Sequence, residues 1–397
     1  MSIDYDIIVV GAGPGGSNAA AVALGAGLRV AQIERHRFPR VKPCAGALTI
    51  KACDALRLDL EPSLRVVATA FEFNVWGSRV NRFSHQTPVL KMVLRPEFDN
   101  LLVEQNKRFD TFSFFDGERV MRLDYDGGVF RVETDKGART CRQLVGADGA
   151  YSFVNRVFGI SQPKASAVAV EVNLYREAAT VEKPLLPCFD FGAVERGYGW
   201  VFPKDNHWSV GLYSFAKGVK DFRARLAAYI AAKGFSVAGD ALESFEAHKI
   251  PVGGYRLRVP DAPVYLVGDA GGFADALTGE GIYHALESGR LAGETLCEVA
   301  RGRGTHRAYY RRLWKNVLPD TFLTYQFSKK FYGNISKAIR ILENPLVWRP
   351  FVQGYAEGAT FARSLLGGGR FLTKSIIGRQ LKHERRRDQA TPLEARR

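Results

Sequence analysis

The stretch DYDIIVVGAGPGGSNAA, residues 4–20, limits what this chain can fold into more than any other. Ile7 to Val10 make a short unbroken apolar run, as a strand covered on both faces requires. Gly11, Ala12, Gly13, Pro14 and Gly16 follow in G-x-G-x-x-G spacing, and an Ala-rich helix comes next. Gly11 permits a tight turn, Gly13 lets the backbone approach a pyrophosphate, and Gly16 lets helix pack close on strand. The helix start adds free N–H groups and the positive end of its dipole. Glycines at this spacing are a weak signal alone, but the second apolar run, LRVAQIE, ends in Glu34 with Arg35 behind it. A carboxylate there can accept hydrogen bonds from both ribose hydroxyls of an adenosine. Together these features predict an α/β, Rossmann-like nucleotide-binding unit.

The distant half of the chain selects the nucleotide. APVYLVGDAGG reads as another strand, Val264 to Val267, ending in Gly268 and Asp269. A Gly-rich segment follows, and Gly279, Gly281 and Ile282 open a new helix. An Asp at a strand end can bond a ribityl or ribose hydroxyl, and the helix start can face an electron-rich isoalloxazine edge. Two anchors far apart in sequence suit FAD better than NAD. Between them, RQLVGADGAYSF places Asp148 and Gly149 after a further strand. This set resembles the glutathione-reductase type of FAD protein, a superfamily that also holds aromatic hydroxylases. In VLRPEFDNLL, Arg95 matches an arginine that lies beside FAD there; an ordinary amphipathic helix accounts for the segment equally well.

At 397 residues the chain exceeds one simple core. Residues 1–55, 90–160 and 262–310 read as a discontinuous FAD-binding domain. Segments 56–89 and 161–261 read as an inserted antiparallel sheet for substrate. In them Phe71, Phe73 and Val75 alternate with Glu72 and Asn74, and Val168, Val170, Val172 and Leu174 alternate with Ala169, Glu171 and Asn173. Period two predicts half-buried strands with one covered face. GYGWVF and HWSVGLYSF, joined by PKDN, read as a hairpin. Residues 311–397 read as a helical, basic C-terminal appendage, with the last ~15 residues mobile.

Tyr198 to Lys204, YGWVFPK, followed by a strand ending in SVGL, resembles the geranylgeranyl reductase family of flavoproteins. So does KPCAGALT, residues 42–49, which is similar to that family's Pro-Cys-Gly-Gly element, with Ala45 in place of the first glycine. The likeness runs from residue 3 to about 310. It implies an FAD-dependent reductase that saturates carbon–carbon double bonds of a prenyl chain, with Ala45 and Gly46 against the cofactor. Cys44 would then lie near the flavin, either as proton donor or tuning group, or only as a small residue where FAD passes; Tyr198 competes as proton source. Tyr198, Trp200 and Phe202 share one side of their strand and can wall an apolar tunnel or simply form sheet core. Lys204 could meet a diphosphate, but reads as an exposed hairpin lysine by default. No second glycine fingerprint marks a donor site, so NADPH or a reduced carrier remain the electron sources. The competing readings are an aromatic-hydroxylase-type monooxygenase and a non-catalytic flavin-binding, membrane-associated factor. A flavin halogenase lacks support, since no W-x-W-x-I-P segment is present.

The net charge of +15 raises three partners: nucleic acid, an anionic membrane and a phosphorylated ligand. No nucleic-acid motif is present, so nucleic acid is not expected. The tail interleaves Phe371, Leu372, Ile376, Ile377 and Leu381 with Lys374, Arg379 and Lys382. Such a pattern suits an interfacial helix or one packed on the protein. No basic leader and no long apolar run is visible, and five scattered cysteines lack any metal or disulfide spacing. The expectation is a cytoplasmic protein without metal, with peripheral attachment to the inner membrane face left open.

Overall fold

A computed structural model describes residues 3–56, 60–76, 80–181, 185–238, 245–335, 338 and 352–368. The fold is mixed α/β. Its first sheet runs Phe112–Asp116, Val30–Glu34, Tyr5–Val10, Gly137–Gly146, Val129–Thr134, Val120–Asp126, with Val264–Leu266 also paired to Gly137–Gly146. The five strands from Phe112–Asp116 through Val264–Leu266 pair in parallel, and the last two extend the sheet antiparallel. Parallel strands need both faces covered, which explains why Ile7, Ile8 and Val9 are fully buried. Helices Pro14–Leu24 and Ile282–Ala300 pack against each other over this sheet. Glycines make that approach possible: a Cβ on Gly289 would sit 2.3 Å from the Gly15 carbonyl oxygen.

The second sheet runs Glu246–Val252, Ala165–Tyr175, His207–Ser214, Gly197–Pro203, Cys188–Phe191, Ala70–Val75, Val80–Ser84. The hairpin expected at PKDN is present, with Trp200 opposite Gly211. Two expectations need correction. Cys188–Phe191 and Ala70–Val75 pair in parallel, so the sheet is not wholly antiparallel. Nor is one face solvated. Helix Phe222–Ala232 covers the side carrying Val170, Val172, Leu174, Val210 and Leu212, while the other side faces a cavity. Asn74, expected outside, is buried and donates to Asp190 Oδ1 at 2.7 Å. A third, small sheet orders Ala47–Thr49, Leu90–Val93 and Leu64–Ala68.

The C-terminal helices within the described residues are not appended. Tyr309, Tyr310 and Leu313 of Arg307–Asn316 join the core of the first sheet. Phe331, at the end of Leu318–Phe331, stacks edge-on against Phe191 of the second sheet at 5.3 Å. Phe327 of the same helix meets Phe361 at 5.2 Å. The tail pattern from Phe371 to Lys382, like the mobile end expected after it, lies outside the described residues.

Candidate active site

A cavity of about 1160 Å³ opens between the two large sheets, beyond the roughly 300–1,000 Å³ of ordinary ligand sites. Its size leaves room for a long cofactor and a second ligand. One end is a glycine cradle. Gly11, Gly13, Pro14 and Gly16 line it, and so do Gly268, Asp269, Gly279, Gly281 and Ile282 from the far motif. Gly11 has a φ of 106°, and a Cβ there would meet the Ala147 carbonyl oxygen at 2.3 Å. Gly13 is open to the cavity, where an added Cβ would find only Arg40 Nη2, at 3.8 Å. Helices Pro14–Leu24 and Ile282–Ala300 both begin here without a side-chain cap, so their first N–H groups face the cavity unspent.

Glu34 and Arg35 line the same end. Glu34 is buried and accepts from the Ala12 N–H at 3.0 Å and the His36 N–H at 3.1 Å. Ala12 itself lies beneath the cradle and does not line it; its N–H serves to hold the Glu34 carboxylate. Asp148 reaches the cavity wall, yet its carboxylate is spent locally. It accepts from Ser152 Oγ at 2.5 Å and from the Phe153 and Val154 N–H groups, capping helix Phe153–Phe158. Burial pushes its acid pKa up against those bonds.

Arg95 begins helix Arg95–Asn106 and is buried in the cavity wall, paired with Asp99 through bonds of 2.9 and 2.8 Å. Arg40 Nη1 approaches the same Asp99 at 3.1 Å, and its Nε lies 3.5 Å from Glu34. Sequence reading missed Arg40, because a lone arginine in a loop carries no pattern. Two guanidinium groups share Asp99 and Arg40 also meets Glu34, so the charges offset one another, while Arg40 Nη2 still points a guanidinium donor toward Gly13. Phosphate oxygens are what such a donor set suits. The cradle, the acid and these guanidinium donors fit FAD; Gly13 and Arg40 would face its pyrophosphate and Glu34 its adenosine ribose.

The other end is aromatic. Register sets its rows: Phe73, Phe189, Trp200, Gly211 and Glu171 stand side by side on one face, and Phe191, Tyr198, Tyr213 and Ala169 form the next row. All but Gly211 line the cavity, as does Phe202. The Tyr198 hydroxyl donates to the Thr278 carbonyl, and burial pushes its pKa far above the ordinary phenol. Trp200 Nε1 donates to Ser209 Oγ at 3.2 Å.

Cys44, Ala45 and Gly46 bridge the two ends. Gly46 has a φ of 64°, and its N–H donates to Cys44 Sγ at 3.4 Å. The Cys44 N–H donates to Glu171 Oε1 at 2.5 Å. Lys204 corrects its expectation: it is 2 % exposed, not a surface lysine. Its Nζ donates to the carbonyls of Ala45 at 2.8 Å and of Gly46 and Val93 at 3.2 Å. Burial pulls the ammonium down to about 8, with Cys44 and Glu171 opposing. Glu171, read as a position on a polar strand face, is another residue the sequence did not single out; a lone acid among inward-facing small and apolar residues was its only signal. Among the described residues no cluster of three His, Cys, Asp or Glu could hold a metal, and no helix is long and apolar enough to cross a membrane. All five cysteines are free.

Comparison with known proteins agrees with this geometry. The FAD binding domain family matches residues 4–309. An uncharacterized protein of Methanosarcina barkeri is 33% identical over 362 residues, covering 91% of this chain and 92% of that one. A menaquinone reductase of Mycobacterium tuberculosis is 31% identical, covering 81% and 82%. A chloroplastic geranylgeranyl diphosphate reductase of Arabidopsis thaliana is 29% identical, covering 82% and 74%. Among solved structures, a geranylgeranyl bacteriochlorophyll reductase-like protein of Thermoplasma acidophilum superposes with a TM-score of 0.74 at 18% identity, covering 92% and 95%. This chain is therefore an FAD-dependent oxidoreductase of the FAD binding domain family, with geranylgeranyl reductases among its homologues.

Proposed function

We propose that this protein saturates carbon–carbon double bonds of a prenyl chain, with FAD as the hydride carrier. The observation that carries the reading is the continuity of one cavity from the glycine cradle to the aromatic rows. FAD, when bound and reduced, supplies hydride. The chain's own residues must then do three things: seat the cofactor, lay an apolar polyene beside it and exclude water. Gly11, Gly13, Gly16, Glu34, Arg40 and Arg95 serve the first task, with Ala45, Gly46, Gly268, Asp269, Gly279, Gly281 and Ile282 along the cofactor's length. Tyr198, Trp200 and Phe202 form the substrate wall. An isolated alkene has no polar handle, so its placement rests on apolar contact and close fit. Phe327, Phe331 and Phe361 continue the apolar lining beyond the sheet, which gives a long chain somewhere to extend. Cys44 stands where the two halves meet. Reducing equivalents come from NADPH or a reduced carrier, and the relatives' names support an isoprenoid substrate, whether a quinone side chain or a diphosphate.

The test is mass spectrometry of isoprenoid lipids from host cells with and without the protein. The expected result is one prenyl species heavier by two hydrogens for each bond reduced. An unchanged isoprenoid profile, with the holoprotein present at high level, contradicts the reading.

A further inference from the structure

We propose that Glu171 is the proton donor of this site, delivering H⁺ to the alkene carbon adjacent to the one that receives hydride. The inference rests on the double-bond-reductase reading and adds the source of the second hydrogen.

Placement comes first. Glu171 sits on the cavity face of Ala165–Tyr175, in the row that continues through Gly211 to Trp200. Gly211 makes room for the Trp200 ring: a Cβ there would meet Trp200 Cζ2 at 2.2 Å. The indole therefore leans across the row toward the carboxyl, and an apolar chain against Trp200 lies beside Glu171.

Partnering comes second. Oε1 is fixed by the Cys44 N–H, but Oε2 has no hydrogen-bond partner, although the residue is only 8 % exposed. A buried, half-partnered carboxyl is costly as an anion and comfortable as an acid. The groups around it agree. Glu246 stands opposite on Glu246–Val252, Lys204 lies at the hairpin end, and Arg95 faces it from its helix. His207–Ser214 presents only Gly211 at that level, and His248 engages Lys42 instead, at 3.4 Å. Burial dominates, with Glu246 adding to it and the Cys44 N–H, Lys204 and Arg95 opposing, so the acid rises to about 7. It holds a proton near neutrality and can still give it up.

The alternatives are less suited. The Tyr198 hydroxyl is committed to Thr278 and far too weak an acid. Cys44 Sγ serves as an acceptor for the Gly46 N–H. The step balances. One alkene carbon takes hydride from reduced FAD, its neighbour takes the Glu171 proton, and the π bond becomes two C–H bonds. FAD is left oxidised, and the carboxylate regains its proton from water.

The test compares wild type with Glu171→Gln and Glu171→Asp, all as FAD-loaded protein checked for cofactor content and melting temperature. Difference infrared spectroscopy across neutral pH should show a protonated-carboxyl band that titrates near 7 in wild type and is missing in Glu171→Gln. In anaerobic stopped-flow, chemical reduction of FAD should be unchanged, while reoxidation by a prenyl quinol or prenyl diphosphate should slow by roughly 10²–10⁴-fold in Glu171→Gln. Glu171→Asp should recover part of that loss. No titrating band, or Glu171→Gln reoxidised as fast as wild type, overturns the role of Glu171. A wild type that no prenyl compound reoxidises overturns the double-bond reading, and this inference with it.

Discussion

Lys204 is the side chain on which the bridge between the cofactor and substrate ends depends. Its ammonium ties together three carbonyls from two separate segments, those of Ala45, Gly46 and Val93. Replacing it with Met keeps the stem and strands the acceptors, each worth about 1–3 kcal/mol when left unsatisfied. Lys204→Met should cost at least about 2 kcal/mol in denaturant unfolding and weaken FAD retention; an unshifted midpoint contradicts this. Glu171 makes a pH prediction. Its folded pKa, about 7, is raised above the usual 4.5 by burial. Between those values the folded state holds a proton the unfolded chain has released, so stability falls as pH rises through the window. The slope contribution is up to about 1.4 kcal/mol per pH unit. Glu171→Gln should remove that slope from a series of unfolding curves between the two pKa values, and an identical pH dependence in both proteins contradicts it. Neither residue declared itself in the sequence. A lysine after a hairpin strand is exposed by default, and nothing local reveals that its acceptors lie more than a hundred residues earlier in the chain. Asp148 shows the reverse case: its motif suggested a cofactor ligand, whereas the helix that starts five residues later uses the carboxylate.

At the scale of elements, the two cofactor-facing helices are set by glycine. Gly289 lets Ile282–Ala300 touch the Gly15 backbone, and Gly293 meets the Ala19 carbonyl in the same way, a Cβ there lying 2.9 Å from its oxygen. Gly289→Ala should push the helices apart at a cost of about 1–3 kcal/mol, and release FAD more readily on dilution. Retention of wild-type stability and flavin content would show that the helices yield without consequence. The strand–glycine–helix–strand–acid unit was readable because each part obeys a local rule. The hairpin at residues 197–214 was readable for the same reason, through its alternation and its short link. The parallel pairing of Ala70–Val75 with Cys188–Phe191 was not, since it joins strands more than a hundred residues apart. Coverage of both sheet faces also escaped, because period two reports which residues share a face and not what lies over it.

Over the whole molecule, function depends on one volume shared by parts that are distant in sequence. The cradle comes from residues near 11, 34 and 281, the bridge from 44–46, the aromatic rows from 71–213, and a further apolar wall from Phe327, Phe331, Val352, Ala356 and Phe361. The C-terminal helices looked like an appendage because their amphipathic pattern names no partner; the core of the first sheet and the aromatic face of the second supply it. The central claim is that reduced FAD and a prenyl double bond meet in this cavity. The most direct measurement is anaerobic: reduce the FAD-loaded protein, add a prenyl quinol or prenyl diphosphate, and follow flavin absorbance together with product mass. The account predicts return of the oxidised flavin spectrum and a product gaining two hydrogens per flavin reoxidised. Flavin that stays reduced in the presence of every prenyl compound, in protein that holds FAD stoichiometrically, would contradict it.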